Sequence, residues 1–287
     1  MMKAQKKYNT KVLNNISNSN FEKEDVTQNL ALCAHSEISS LIDSVNYRKH
    51  HNQNNDVDLN KILYESVDVI RYIMGIMNVW DISPEQFIEA FYKKDLYLWT
   101  KYELSKKPWE GQPVAIIDMD DVIAEFRSSF AQWLENSYNI KIDVESDEYY
   151  FISELSTLDQ NPEKVFQTFM QQGGFENLPA VKYAKEFLTL LKEKGYWVQL
   201  LTARPKEELK CLYDTFSWLK NNDIPFDRVD FSTEKFRWCA KSKYYDAGAI
   251  KFAIDDAPKH AEDYAKHGIK CFVPKKSYNE HLNADNI

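Results

Sequence analysis

The spacing of apolar residues along the chain changes near residue 110. Before that point, apolar side chains recur at intervals of three and four, which is the period of an amphipathic helix. This pattern predicts one helix from about Thr27 to Asn46, a second from about Asn60 to Trp80, and a third that begins at Pro84. We therefore expect residues 28–108 to form an all-α helical bundle.

The segments on either side of this bundle have a different composition. Residues 1–27 are rich in asparagine, lysine and serine, and we expect them to be poorly ordered or to form a peripheral helix. Residues 105–113 contain two prolines and a glycine, which is typical of a connection between domains. Because 287 residues exceed what one hydrophobic core usually organises, a multidomain protein is expected.

Short, continuous apolar runs replace the helical period after residue 112. Such runs are typical of strands that are buried on both faces of a sheet. The first run is Val114–Ile117, and further mainly apolar strands lie within Gly195–Pro205, Ile250–Pro258 and Lys270–Pro274, with a long insertion after the first strand and helical stretches between the others. This order predicts a doubly wound α/β domain over residues 112–287, and the aromatic residues between about 127 and 180 predict a helical cap above it.

Polar side chains stand at the ends of three of these strands. They are, in chain order, Asp118 and Asp120, Thr202 and Arg204, and Asp255 and Asp256. In open α/β sheets, ligands bind at the carboxyl ends of the strands. Carboxylates held close together repel one another, which favours a cation or phosphate nearby. For Asp118 and Asp120 taken alone, an acidic turn after a core strand is the alternative.

Together these motifs resemble the haloacid dehalogenase (HAD) phosphatase superfamily, over residues 112–280. The shared motifs are an Asp-x-Asp sequence, a threonine, a lysine and an Asp-Asp pair, in this order. We assign the lysine to Lys241, at the start of the helix before the last acidic strand, with Lys243 as the alternative. Many relatives have a glycine after the second aspartate of the first motif, where this chain has Asp121.

The HAD resemblance implies a covalent mechanism that depends on Mg²⁺. Asp118 is expected to attack phosphorus, and Asp120 to protonate the leaving oxygen and then to activate water. Thr202 and the lysine are expected to hold the phosphoryl oxygens. The expected Mg²⁺ ligands are Asp118, Asp120 and one of Asp255 and Asp256.

The segment Gly173–Pro179 resembles the part of the cap that leads back to the core in the 5′(3′)-deoxyribonucleotidases of this superfamily. In those enzymes an aromatic residue of this segment stacks on the base, and Phe175 is the matching position. Ordinary packing within the cap is the alternative for Phe175. Arg204 and Lys243 are the other residues that we expect to contact the substrate.

Three carboxylates in the helical region are candidates for a second metal site. Glu65 and Asp68 are three residues apart, so they share one face of a helix and can hold one hard cation between them. Glu37 lies on the preceding predicted helix. A solvated acidic stripe is the alternative interpretation.

These carboxylates resemble the metal site of the all-α nucleoside triphosphate pyrophosphatases, the group that contains MazG proteins and dimeric dUTPases. The family pattern is Glu-x-x-Glu on one helix and Glu-x-x-Asp on the next, and here the matching segments are Glu37–Ser40 and Glu65–Asp68. The segment Leu41–His51 also resembles the dimeric dUTPases. Ser40 stands where the family has its second glutamate, which removes one metal ligand. The resemblance implies Mg²⁺-dependent hydrolysis of a nucleoside triphosphate to monophosphate and pyrophosphate.

Composition and charge exclude several other classes of function. The net charge of −8 argues against a nucleic-acid partner, because a groove for phosphate backbones needs a basic excess. The four cysteines form no Cys-x-x-Cys pair, so neither a disulfide framework nor a zinc site is expected. No apolar run approaches the roughly 20 residues that span a bilayer, and we expect a cytoplasmic protein without a membrane partner.

The sequence therefore predicts a bifunctional nucleotide hydrolase. The helical domain would convert a (d)NTP to a (d)NMP and pyrophosphate, with a dUTP-like pyrimidine favoured by the dUTPase resemblance, and the HAD domain would dephosphorylate the monophosphate. The expected partners are small-molecule nucleotides and further copies of the chain, in a dimer or tetramer formed through the helical domain. The alternative is a HAD 5′-nucleotidase alone, with a degenerate helical domain that serves dimerisation. The complete HAD motif set weakens a third interpretation, a non-catalytic nucleotide-binding protein.

Overall fold

The computed structural model of the chain describes residues 22–45, 57–146, 155 and 161–282. These residues divide into two compact units, with the boundary between Tyr92 and Lys93. Most of the predicted poorly ordered segment, residues 1–27, lies outside the described residues, as do parts of the predicted cap and of the dUTPase-like segment Leu41–His51.

Three long helices form the N-terminal part of the chain. They are α1 (Lys23–Asp43), α2 (Leu59–Val79) and α3 (Pro84–Ser105). The Asp58 side chain begins α2 by accepting hydrogen bonds from the amides of Asn60 and Lys61, which would otherwise lack partners in the first turn. Helix α2 begins and ends one residue earlier than predicted, and α1 begins four residues earlier than predicted.

Helices α1 and α2 pack against each other and bury little apolar surface. Ala34 and Met77 are buried, and the Trp80 indole donates a hydrogen bond to the Thr27 hydroxyl at 2.8 Å. Many large apolar side chains of this unit are exposed. They include Leu32, Ile38, Ile42, Leu59, Leu63, Tyr64, Val67, Ile70, Ile73, Phe87, Ile88, Phe91 and Tyr92.

The C-terminal half of α3 belongs to the second unit. The Tyr97 ring lies 5.3 Å from the Tyr213 ring and 5.1 Å from the Phe216 ring, measured between centroids, and Leu104 packs against the same core. The predicted interdomain connection, residues 105–113, therefore lies inside the second unit. Aromatic packing holds this half of α3 in the second unit.

Five parallel strands form the sheet of the second unit. They are β1 (Val114–Ile117), β2 (Trp197–Thr202), β3 (Arg228–Phe231), β4 (Ile250–Ile254) and β5 (Cys271–Phe272), arranged in the order β3-β2-β1-β4-β5. The central strand β1 is buried at every position. The predicted α/β sheet is confirmed, and β3 is an additional edge strand that the apolar pattern did not predict.

Seven further α-helices follow β1 in the described part of the second unit. They are α4 (Phe126–Tyr138), α5 (Pro162–Gln171), α6 (Ala184–Glu193), α7 (Leu209–Asn221), α8 (Lys235–Ala240), α9 (Lys243–Asp246) and α10 (Pro258–Lys266). Alternate residues of β1 enter different cores, since Ala115 and Ile117 lie in one cluster and Val114 and Ile116 in the other. Helices α4 and α5 lie in the region predicted as the cap. In the described part of the chain, no helix has the length and apolar character needed to cross a membrane.

Candidate active site at the carboxyl edge of the sheet

Two adjacent strands bring three buried carboxylates together. Asp118 follows β1, and Asp255 and Asp256 follow β4, which pairs with β1. The Asp118 amide continues this pairing with a hydrogen bond to the Ile254 carbonyl at 2.9 Å. One carboxylate oxygen from each aspartate lies within 4.8 Å of the other two. The sequence prediction that these side chains share one edge of the sheet agrees with this geometry.

A buried lysine contacts two of these carboxylates. Lys235, at the start of α8, is 1% exposed, and its Nζ lies 2.7 Å from Asp118 Oδ1 and 2.7 Å from Asp255 Oδ2. Burial raises the pKa of Asp118 to about 6, although the Lys235 charge opposes this rise. Burial alone would lower the pKa of Lys235, but the two carboxylates outweigh it and raise the pKa above its usual value. The ammonium group is therefore charged at neutral pH.

The structure places a lysine other than the predicted one, Lys235, at the acidic cluster. The side chains of Lys241 and Lys243 are exposed, and the Lys243 ammonium lies 5.4 Å from the centroid of the Trp109 ring. Neither residue lines the cavity next to the acidic cluster, whereas Lys235 does. Lys235 follows β3 by four residues, so the unpredicted edge strand is the signal that would have identified it.

The two aspartates after β4 have different hydrogen-bond partners. Asp255 uses both oxygens, since Oδ2 accepts from Lys235 and Oδ1 accepts from the Ala257 amide at 3.2 Å. Asp256 Oδ2 accepts from the Tyr278 hydroxyl at 2.6 Å. Asp256 Oδ1 is buried and has no hydrogen-bond partner among the residues that the structure describes. Burial, followed by repulsion from Asp118 and Asp255, raises the pKa of Asp256 well above its usual value.

Arg204 contacts a carboxylate rather than open space. Its Nη2 lies 2.6 Å from Asp120 Oδ1, and its Nε lies 3.0 Å from Asp120 Oδ2. Its Nη1 donates to the Thr215 hydroxyl at 3.1 Å, and its amide donates to the buried Thr202 hydroxyl at 3.2 Å. The two-point contact fixes the position of the Asp120 side chain.

Asp121 occupies the turn after the Asp-x-Asp motif in a left-handed conformation, with φ of 56°. Glycine adopts such angles freely, and aspartate tolerates them better than most residues. The Asp121 carboxylate also accepts a hydrogen bond from the Arg127 amide at 3.0 Å, at the start of α4. Aspartate can therefore replace the glycine of related sequences while it keeps the turn. Burial raises the pKa of Asp121 to about 6.

A cavity of about 540 Å³ adjoins these groups within the second unit. Its charged lining residues include Asp118, Asp120, Arg204, Lys235 and Asp256. Its aromatic lining residues include Phe126, Phe130, Phe166 and Phe175, from α4, α5 and the segment after α5. The cavity thus joins a charged region at the sheet edge to an apolar region under the cap helices.

Phe175 is held by packing within the cap. It is 2% exposed, the Phe126 ring stacks parallel to it at 5.7 Å, and the Arg204 guanidinium carbon lies 4.5 Å from its ring centroid. A base could stack on Phe175 only by displacing these neighbours. The half-buried Phe126 and Phe166 are the aromatic side chains with free surface in the cavity.

Two further cavity residues carry no sequence motif. His260, on α10, is buried, and burial and then the Lys235 charge lower the pKa of its imidazole to about 4, so the ring is neutral at pH 7. Tyr278, beyond β5, is 2% exposed. The position of His260 shortly after the Asp-Asp pair is a weak signal, and nothing in the sequence around Tyr278 distinguishes it.

The helical carboxylates are more loosely arranged. Glu37 lies on α1, and Glu65 and Asp68 lie on α2, all of them half-buried. Asp68 Oδ1 lies 3.7 Å from the Arg71 guanidinium. Within the described ranges, these three side chains do not form a group close enough to share one cation, unlike Asp118, Asp255 and Asp256.

Two families match the chain. The family described as 5′ nucleotidase, deoxy (Pyrimidine), cytosolic type C protein matches residues 112–286, and the family described as dUTPase matches residues 1–170. The fold prediction is confirmed, since a helical N-terminal region precedes a parallel-sheet α/β domain. A solved structure of a HAD family hydrolase from Deinococcus radiodurans is 13% identical, covers 56% of this chain and 80% of its own, and has a TM-score of 0.39.

Two relatives carry the name "Putative nucleotidase". The relative from Oceanobacillus iheyensis is 25% identical over 167 residues, which cover 56% of this chain and 86% of the relative. The relative from Bacillus cereus is 29% identical over 110 residues, which cover 37% of this chain and about half, 53%, of the relative. With the structure, these matches identify a nucleotide hydrolase. The chain belongs to the cytosolic type C 5′-deoxynucleotidase family through residues 112–286 and to the dUTPase family through residues 1–170.

Proposed function

We propose that the second unit hydrolyses the phosphate monoester of a (deoxy)nucleoside monophosphate through an aspartyl-phosphate on Asp118. The observation that carries this proposal is the contact of the buried Lys235 with Asp118 and Asp255 beside a cavity with aromatic walls. The family match supports a pyrimidine deoxynucleotide as the substrate.

The donor set fits Mg²⁺. One lysine pairs with two of the three carboxylates, and Oδ1 of Asp256, which has no hydrogen-bond partner among the described residues, is a hard oxygen in a buried position. We expect Asp118 and Asp256 to supply side-chain ligands and Asp120 to supply its carbonyl, because both Asp255 oxygens already have donors. The bound cation would supply positive charge that offsets the repulsion between the phosphate and these carboxylates.

The first step transfers the phosphoryl group to the protein. An Asp118 oxygen attacks phosphorus, the bond from phosphorus to the nucleoside oxygen breaks, and Asp120 gives that oxygen a proton. Lys235, whose Nζ lies 2.7 Å from Asp118 Oδ1, and the Thr202 hydroxyl would hold the phosphoryl oxygens as charge moves onto them.

The second step releases phosphate. The oxygen of a water molecule attacks phosphorus while Asp120 takes a proton from that water. The bond from phosphorus to the Asp118 oxygen then breaks. The Arg204 guanidinium donates to both oxygens of Asp120, which keeps this side chain in position at the site.

The aromatic part of the cavity is suited to a nucleobase. Phe126 and Phe166 are half-buried and approach each other edge to face, with their centroids 6.4 Å apart. A base can stack on the Phe166 ring, and base stacking on aromatic side chains contributes about 1–3 kcal/mol. Phe175 supports the Phe126 ring from behind.

The test of this proposal is the loss of the nucleophile. Asp118→Asn keeps the side-chain shape but removes the nucleophilic charge, so hydrolysis of deoxynucleoside monophosphates should fall by about three orders of magnitude or more. Phosphate release is measured over all canonical monophosphates with Mg²⁺ present. The exposed Asp246, changed to asparagine, is the control and should keep its activity. Near-normal hydrolysis by Asp118→Asn would rule out the covalent route.

For the helical region we propose a pyrophosphohydrolase activity that takes a (d)NTP to a (d)NMP, with a dUTP-like pyrimidine favoured. Its support is the dUTPase family match and the position of Glu37, Glu65 and Asp68 on two packed helices. Ser40→Glu restores the fourth carboxylate and should tighten Mg²⁺ binding, because it adds a hard ligand. Calorimetric titration of the full chain in an Asp256→Asn background is the test, and no gain in affinity would contradict it.

Dimerisation through the helical region is the second candidate role. The exposed apolar side chains of α1, α2 and the first half of α3 favour it, since contiguous apolar surface of this kind usually marks an interface. The occupant we propose is a second copy of the chain. Leu63→Glu together with Ile70→Glu should lower the mass measured by light scattering, and an unchanged mass would contradict this interface.

The unpaired state of all four cysteines supports a cytosolic location.

A further inference from the structure

We propose that Tyr278 is a positioning residue for the acidic cluster and determines which oxygen of Asp256 faces a cation. Tyr278 lies in a single 3-10 turn, Ser277–Asn279, beyond the last strand. It is distant in sequence from every motif of the site. The inference rests on the function proposed above, because it concerns the cation site of the same reaction.

The first observation is that the two Asp256 oxygens differ in their hydrogen-bond partners. The Tyr278 hydroxyl donates to Oδ2 at 2.6 Å, and Oδ1 has no partner among the described residues. A carboxylate that is fixed by one donor cannot rotate freely, so its second oxygen keeps one direction. Residues that bind metal ligands in this way orient them and strengthen metal binding.

The second observation is that the backbone of Asp256 is held by the same turn. The Asn279 side-chain amide donates to the Asp256 carbonyl at 3.0 Å and to the Pro274 carbonyl at 2.9 Å. Neighbouring residues of one turn therefore hold the side chain and the main chain of Asp256. This double contact distinguishes positioning from an incidental hydrogen bond.

The third observation concerns what holds the Tyr278 ring. The Arg127 guanidinium carbon lies 4.8 Å from the ring centroid, and Arg127 donates to the carbonyls of Val144 at 2.8 Å and Ser146 at 3.2 Å. The Ser277 hydroxyl also donates to the Ser146 carbonyl, at 3.0 Å. The turn thus connects Asp256 to the first part of the predicted cap, at residues 127–146.

Tyr278→Phe separates positioning from packing, because it keeps the ring and removes only the donor. The experiment uses the full chain in a Glu65→Gln background, which removes one carboxylate of the candidate helical site. Mn²⁺ is the probe, since carboxylate sites that suit Mg²⁺ also suit Mn²⁺, and free Mn²⁺ is measured by electron paramagnetic resonance. We expect Tyr278→Phe to weaken Mn²⁺ binding by about tenfold or more.

A matched control shows whether any buried tyrosine would do the same. Tyr244 is also buried, but it packs among the tryptophans Trp109 and Trp197 instead of contacting a carboxylate of the cluster. Tyr244→Phe should leave Mn²⁺ affinity within about twofold of the parent protein, since it removes no contact to a ligand.

The Mg²⁺ concentration that gives half-maximal monophosphate hydrolysis should rise in Tyr278→Phe by the same factor as the Mn²⁺ dissociation constant.

The possible results distinguish the positioning role of Tyr278 from the proposed function on which it rests. If the parent protein binds no Mn²⁺, the proposed cation site fails and the inference fails with it. If the parent binds Mn²⁺ and Tyr278→Phe binds it equally well, the positioning role alone is overturned. Should circular dichroism show that Tyr278→Phe does not fold, Asn279→Ala replaces it. That variant removes the contact to the Asp256 carbonyl, and unchanged Mn²⁺ affinity in it would also overturn the inference.

Discussion

At the scale of single residues, charge balance dominates the candidate site. Asp118, Asp255 and Asp256 are almost completely buried, and one ammonium group, that of Lys235, contacts two of them. Buried charges are tolerated when they are paired, and removal of one partner leaves the others uncompensated. The Lys235 side chain therefore supports the structure of the cluster, and under the proposed function it also donates to the phosphate.

Lys235→Met tests this assignment against the sequence-based one. The variant keeps most of the side-chain volume but removes the charge, so monophosphate hydrolysis should fall by about 100-fold or more, as expected when a donor to a developing oxyanion is lost. Lys241→Met is the matched control, and its activity should stay within about twofold because the Lys241 side chain is exposed. Steady-state kinetics decides, and a larger loss in the Lys241 variant would restore the original assignment.

At the scale of secondary-structure elements, the predictability of the site follows how apolar the sequence of each strand is. Strand β1 is wholly apolar and buried, so it could be recognised from the sequence, and with it Asp118 and Asp120. The edge strand β3 is Arg-Val-Asp-Phe, in which only Val229 is buried. It resembles a loop in a pattern of apolar residues, and Lys235 after it was therefore missed.

Other parts of the site depend on contacts between distant segments. The stacking of Phe126 on Phe175 and the hydrogen bond from Tyr278 to Asp256 join residues whose separation in the chain gives no local pattern. The Asp255 and Asp256 pair was predictable as a pair. Their different partners were not, since these come from α8 and from the turn beyond β5.

The segment after α5 offers a test of cap packing. A Cβ atom added to Gly174 would lie 2.3 Å from the Phe169 ring, which is itself buried. Gly174→Ala should therefore lower the free energy of unfolding by about 1–3 kcal/mol, the usual cost of overpacking. Urea denaturation measures this change.

Phe169→Leu supplies the control for this clash. Each single change should destabilise the protein, but the smaller leucine makes space for the alanine methyl group. The double variant Gly174→Ala with Phe169→Leu should then be more stable than the sum of the two effects predicts. Strict additivity would show that the Phe169 ring is not what excludes the methyl group.

At the scale of the whole molecule, the two proposed functions would form consecutive reactions. A pyrophosphohydrolase releases a monophosphate, which is the substrate class of a deoxynucleotidase. Under the proposed functions, one chain would take a deoxynucleoside triphosphate to nucleoside, pyrophosphate and phosphate.

Separate variants should interrupt this sequence at different stages. Asp118→Asn should stop it at the monophosphate with pyrophosphate still released, because the helical carboxylates are unchanged. Glu65→Gln should leave the triphosphate intact while added monophosphate is still cleaved. Chromatography of the nucleotide products distinguishes these results. Triphosphate consumption that is unaffected by Glu65→Gln would leave the nucleotidase as the only activity.

The continuous helix α3 limits where this chain can be divided. Its residue Lys93 forms ion pairs with Asp214, at 2.8 Å, and with Glu176, and Asp214 is fully buried. A nucleotidase fragment cut at residues 105–113 would lose Lys93 and Tyr97, and would expose the surface that they cover on α7. Gene fusion or exchange of the two halves at residues 105–113 would therefore yield a nucleotidase that lacks the contacts of Lys93 and Tyr97 with α7. A fragment that begins upstream of residue 93 would keep its own share of the helix.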